Sequence, residues 1–105
     1  MFTINGIYWR IKWVHPYNNN LLKEDGTYTL GVCDNATKTI SLSDRLEGSM
    51  LKKVLTHEIV HAAMFSYNVH LTIEQEEVIA DIIATYGEEI INITNKVFKK
   101  LRFYS

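Results

Sequence analysis

Cysteine and proline each occur once in this chain of 105 residues, and glycine only five times. A lone Cys33 excludes an internal disulfide, so the core must hold the fold, and a reducing compartment is the simpler home. Proline and glycine are too sparse for a linker or a low-complexity segment, which leaves residues 1–105 as a single domain. No apolar run approaches the roughly 18 residues of a membrane span, and no secretory leader pattern opens the chain. A cytoplasmic protein with no membrane contact is expected. Charge of one sign is missing too: 11 Lys and Arg against 12 Asp and Glu leave a formal net charge of −1. A nucleic-acid surface needs a clustered cationic excess to displace counterions, so no nucleic-acid partner is expected. The one basic run, "KVFKKLR" at residues 96–102, reads as cations placed at the negative end of a closing helix.

What is present is apolar material in two different periods. Hydrophobic residues make up 47% of the chain and charged residues 22%, enough burial to offset the entropy of ordering. In "FTINGIYWRIKWV" (residues 2–14), Ile4, Ile7, Trp9, Ile11 and Trp13 follow an alternating pattern around Asn5 and Gly6, a pair that marks a hairpin turn or a bulge. "HPYNNN" then reads as a loop, because His15 before Pro16 is pushed to extended geometry and asparagines suit turns. "TYTLGVCD" and "KTISLS" read as two strands joined by a tight turn, with Ile40 and Leu42 on one face and Thr39, Ser41 and Ser43 on the other.

From Ser49 the period becomes helical, with Leu51, Val54, Leu55, Ile59 and Ala62 at spacings of three and four. Asn68 is placed to end this helix, and Thr72 with Gln75 forms a T-x-x-Q capping box for the next. The second helix carries Ile79, Ile83, Tyr86, Ile90, Ile93, Val97 and Leu101 as one long apolar face. The expected fold is α+β: an antiparallel sheet of about three strands packed on the first helix, with the long second helix covering its other side.

The first helix contains "LTHEIVHAAM" (residues 55–64). Residues four apart on an α-helix differ by about 40° of rotation and about 6 Å of rise, so His57 and His61 project side by side. Two imidazoles so placed can share one Zn²⁺, while Glu58 can hydrogen-bond water there without ligating the metal. That set suits hydrolysis, with Glu58 as general base. A catalytic zinc wants a third protein ligand, and the second helix opens with "EQEEVIAD". Small residues Ala80, Ala84 and Gly87 face the small Ala62 and Ala63 of the first helix, so the two helices should approach closely. Glu77 shares that stripe and is the best third ligand; His70 and Glu76 are the alternatives. Asp81, one turn further, is placed to hydrogen-bond a ligating histidine. Tyr67 or Tyr86 is a candidate to stabilise an oxyanion.

"VLTHEIVHA" followed by "EEVIAD", with "GVCDNATKTISLS" upstream, resembles the compact zinc-dependent peptidases of the ImmA/IrrE type over about residues 30–90, particularly the short stand-alone versions carried by phages and prophages. The resemblance implies zinc held by His57, His61 and Glu77, with Glu58 as catalytic base, in the cytoplasm of a bacterial host. Larger relatives often pair with a helix-turn-helix repressor and cleave it or a related regulator. By that likeness, the expected protein is a monomeric metallopeptidase acting on a protein or peptide substrate, with a transcriptional regulator as the candidate.

The rival expectation is a binding protein that keeps the zinc fold without the catalysis, such as a phage-encoded factor that sequesters a host regulator, because so little chain remains to build a cleft. For the peptidase, "KTISLS" is expected to form the sheet edge beside the metal and to accept extended substrate as an added strand.

Overall fold

A computed structural model describes residues 1–104, with side chains through residue 102. Strands β1 (Phe2–Ile4) and β2 (Ile7–Val14) form a hairpin, followed by a 3-10 turn at Asn19–Leu21. Strands β3 (Gly31–Asp34) and β4 (Thr39–Ser43) precede helices α1 (Gly48–Ser66) and α2 (Ile73–Tyr104). The fold is α+β, but the sheet has four strands in the order β1-β2-β4-β3. It is also mixed: β2 pairs parallel to β4, with Ile11 opposite Ile40, while the other two pairings are antiparallel. The expectation of about three antiparallel strands is corrected on both counts. The reason is non-local, since β2 returns to β4 across the loop that contains β3.

Asn5 and Gly6 are the two left-handed residues of the β1–β2 turn, at φ 50° and 76°. This is the chemistry a two-residue hairpin of matching twist requires. The turn also serves α1: the Asn5 side-chain amide donates to the Ser66 carbonyl at 3.0 Å, and the indole Nε1 of the fully buried Trp9 donates to Ser66 Oγ at 2.8 Å. Two bonds, one buried and one part-buried, thus fix the far end of the motif helix to the first hairpin.

Trp9, Ile40, Leu42, Leu46 and Ala62 form the core between sheet and α1, with Leu51, Val54, Leu55 and Ile59 packed against it. The helical spacing read from the sequence therefore faces the sheet. Ala62 belongs to that core, so it does not serve the helix–helix contact assigned to it above. Helix α1 is the middle layer, and its small residues divide between two interfaces. On α2, whose packing partner is α1, Ala80 is fully buried.

Strand β4 is interior, and all five of its residues are buried, Thr39, Ser41 and Ser43 included. The expected edge role of "KTISLS" is thereby overturned: the strand with a free outer side next to the helices is β3. The turn between α1 and α2 follows its sequence signals. Asn68 adopts φ 55°, the Val69 N–H bonds back to the Met64 carbonyl at 2.9 Å and Asn68 N–H to Phe65 at 3.3 Å, a Schellman ending. Thr72 and Gln75 exchange reciprocal capping bonds at 3.1 and 3.2 Å. Among the described residues, no helix is long and apolar enough to cross a membrane.

Candidate metal centre

Helix α1 presents His57 and His61 on the side where α2 begins. Their Nε2 atoms lie 3.1 Å apart, and Glu77 of α2 meets both, Oε2 at 3.1 Å from His57 and Oε1 at 2.9 Å from His61. These three residues can offer ligand atoms that all lie within 4.8 Å of one another. A tetrahedral ion with ligands at about 2.0–2.2 Å would hold its donors about 3.3–3.6 Å apart, so the group fits after a few tenths of an ångström of widening.

The far sides of the rings are engaged as well. Asp81 Oδ1 lies 2.9 Å from His57 Nδ1, and Glu76 Oε1 lies 2.6 Å from His61 Nδ1. A carboxylate behind Nδ1 assigns the proton to that nitrogen and leaves the Nε2 lone pair facing forward. Two lone pairs and a carboxylate then converge on one point, an arrangement that a cation relieves. Two imidazole nitrogens and one carboxylate suit zinc better than calcium or magnesium, which prefer oxygen alone.

The position of each expected residue can be stated. Glu77 lies between the two histidines, and Asp81 lies behind His57. Glu76, expected as an alternative ligand, instead backs His61. His70 is exposed in the inter-helix turn and stays outside the metal group, although it lines the cleft beside it. Tyr67 and Tyr86 are more than half exposed, and neither lines that cleft, so the structure does not bring either to the site. Lys23, which sequence reasoning passed over, does line it. No local pattern around Lys23 signals the site; the loop carries it there.

Glu58 lies between the metal group and the sheet. It is only 7% exposed and lines the cleft beside the metal group. Burial pushes its pKa above the ordinary carboxylate value; the neighbouring imidazoles pull the other way, and Glu77 adds to the rise. Gly31 makes this placement possible. A Cβ there would come within 2.8 Å of Val54 Cγ1 and 3.2 Å of Glu58 Cγ, so β3 can lie this close to α1 only without a side chain. The adjacent Cys33 is not in the metal group, and its thiol is pushed up to about 12, chiefly by burial and then by the charge of Glu58.

The cleft over these residues measures about 1070 Å³, with Gly31, Val32 and Cys33 on one wall and Met64, Phe65 and Ile73 among its apolar lining. The free side of β3 runs along it. Compared with known proteins, the chain matches no family model, no curated protein and no solved structure. What the site can do is therefore read from its own geometry.

Proposed function

We propose that the chain is a zinc-dependent peptidase of the minimal HExxH kind. The observation that carries this reading is the convergence of His57, His61 and Glu77, with the largely buried Glu58 lining the same cleft beside them. A zinc ion held there would supply Lewis acidity toward water and toward a carbonyl group. The remaining work falls to the chain. Glu58 takes the proton of the attacking water and passes it to the departing amine; its raised pKa, chiefly from burial, favours holding that proton between the two transfers. Glu76 and Asp81 keep the imidazoles in the Nδ1–H tautomer and fix their aim.

Substrate is an extended protein or peptide segment laid along β3. Among the described residues, strand β3 has no strand neighbour on its outer side, where only the Gly31 carbonyl is engaged, by Thr29 Oγ1 at 3.3 Å, and the apolar wall across the cleft receives the side chains of an added strand. A regulatory protein with a flexible loop is a substrate of this kind, in line with the resemblance to ImmA/IrrE-type peptidases.

A second reading is favoured by one observation. Neither tyrosine reaches the cleft, and the donor-bearing side chains that line it, Lys23, Thr29, Asn35, Asn68 and His70, lie on loops rather than on the helices of the metal group. A metal-loaded binding protein needs no such donor. Metal analysis and cleavage separate the two readings. Wild type and Glu58→Gln should both carry about one zinc per chain, whereas His57→Ala should lose it. New peptide ends in a cell extract, mapped by mass spectrometry, should arise with wild type and be absent with Glu58→Gln. Equal zinc content in wild type and His57→Ala would remove the site. Zinc binding without any difference in peptide ends would leave the binder.

A further inference from the structure

Helix α2 runs well past its support. Its tie to Lys52 at Glu88 lies near the N-terminal end of α1, and the chain continues as a single helix from there. The molecule is accordingly elongated, 55 Å in its longest dimension against 29 and 28 Å. Ile83, Tyr86, Ile90, Ile91, Ile93, Val97, Phe98 and Leu101 are each 41–60% exposed. They fall within one arc of the helix, while Glu89, Asn92, Lys96 and Lys99 occupy the opposite side or its borders. Six of them, Ile83, Tyr86, Ile90, Ile93, Val97 and Leu101, line or flank one seam and expose roughly 550 Å² per chain, the apolar centre of an interface of standard size, to which each partner gives ~800 Å².

We infer that this face is covered by the same face of a second copy, the two α2 helices running antiparallel about a two-fold axis near residues 91 and 92. The heptad read along the stripe places Ile83, Ile90 and Val97 at a, and Tyr86, Ile93 and Lys100 at d. In the antiparallel register that sets a against d of the partner copy, Ile90 meets the second Ile93 and Tyr86 meets the second Val97. Ile83 receives the aliphatic stem of the second Lys100, whose ammonium reaches solvent.

Charge decides the orientation. At the g positions stand Glu89 and Lys96, which the antiparallel register sets against each other across the two-fold axis, once on each side. A parallel pair would set Glu89 against Thr94 and Lys96 against Leu101, with no charge satisfied. Gly87 and Thr94 oppose each other along the remaining shoulder, where small side chains permit close approach. The pairing involves none of the metal-group residues, which are His57 and His61 of α1 and Glu77 in the second turn of α2.

Sedimentation equilibrium of the full chain tests this inference. The wild type should be a dimer at tens of micromolar. Ile93→Asp, a change on an exposed face, should weaken association by more than about 100-fold while leaving zinc content and helical circular dichroism near the wild-type level. Glu89→Lys and Lys96→Glu should each weaken it by about tenfold, because each sets like charges together twice, and the double exchange should restore it. A wild type that stays monomeric at 200 µM would overturn the inference, and binding of that monomer to anionic lipid vesicles would assign the face to a membrane surface instead. A dimer indifferent to Ile93→Asp, or a double exchange that fails to restore association, would overturn it equally.

Discussion

Ala80 and Ile90 are separated by ten residues of one continuous helix, yet the first is fully buried and the second half exposed. Up to Glu88, α2 is the outer layer of a three-layer stack of sheet, α1 and α2; beyond it, the same apolar repeat continues with nothing beside it. The difference teaches that a hydrophobic period states that a face will be covered, but not by what. In the first half the cover is α1, and the apolar face is interrupted by the carboxylates that reach the histidines. In the second half no acidic side chain interrupts it.

The contrast is sharpest in what overpacking should do. Ala80→Leu forces extra carbons between α1 and α2 and should destabilise the fold by about 2–3 kcal/mol in urea unfolding, with weaker zinc affinity. The matching Thr94→Leu, on the projecting half, should leave the unfolding midpoint of dilute protein unchanged. Equal effects at the two positions would erase the distinction between the halves. Gly31→Ala tests the packed region from the sheet side. Its single added carbon meets Val54 at 2.8 Å and should cost about 1–2 kcal/mol. Because the same carbon crowds Glu58, peptide cleavage should fall more than the stability loss accounts for.

A smaller effect tests the cost stored beneath the metal group. The pKa of Glu58 is raised in the fold, so the folded state holds this proton more tightly than the unfolded one. In metal-free protein that favours folding as pH falls through the window above 4.5 and opposes folding as pH rises through it. Glu58→Gln should therefore raise the melting temperature of metal-free protein at pH 7 by a few degrees, and the gain should vanish by about pH 4. A variant that melts lower than wild type at pH 7 would show that the carboxylate has found a partner. The smallest effect is expected where the two halves meet. Lys52 and Glu88 are about 70% exposed, and Lys52→Ala should leave thermal melting unchanged within error.

Much of the helical half was legible because its signals are local. Asn68, the Thr72–Gln75 box and the His57–His61 spacing each act within a turn or two of chain. The β1–β2 turn was legible for the same reason. Glu77 and Asp81, 16 or more residues from the histidines, were legible only through the small residues that let the two helices approach. The parallel pairing of β2 with β4 was not, since alternation along a strand says which face is buried and never which strand lies alongside. One signal was available and unread: residues 39–43 carry no charge, which suits an interior strand better than an edge. The role of Glu76 escaped because four acidic residues share the start of α2, and only the tilt of that helix against α1 decides which oxygen reaches which ring. The need for glycine at position 31 is a fact about two surfaces meeting, invisible until both are placed.

The short connection between α1 and α2 has a consequence for the order of events in folding. Six residues, stabilised at both ends by their own caps, join the helices that carry all three residues of the metal group. The pairing of Arg10 with Thr39, by contrast, must close a loop of 29 residues before it is rewarded. Helical hairpins of low contact order assemble before such pairings. The histidines and Glu77 should thus meet while the sheet is still forming, so zinc present during refolding should speed the observable rate, whereas zinc added after the sheet has closed should act only on the rate of unfolding.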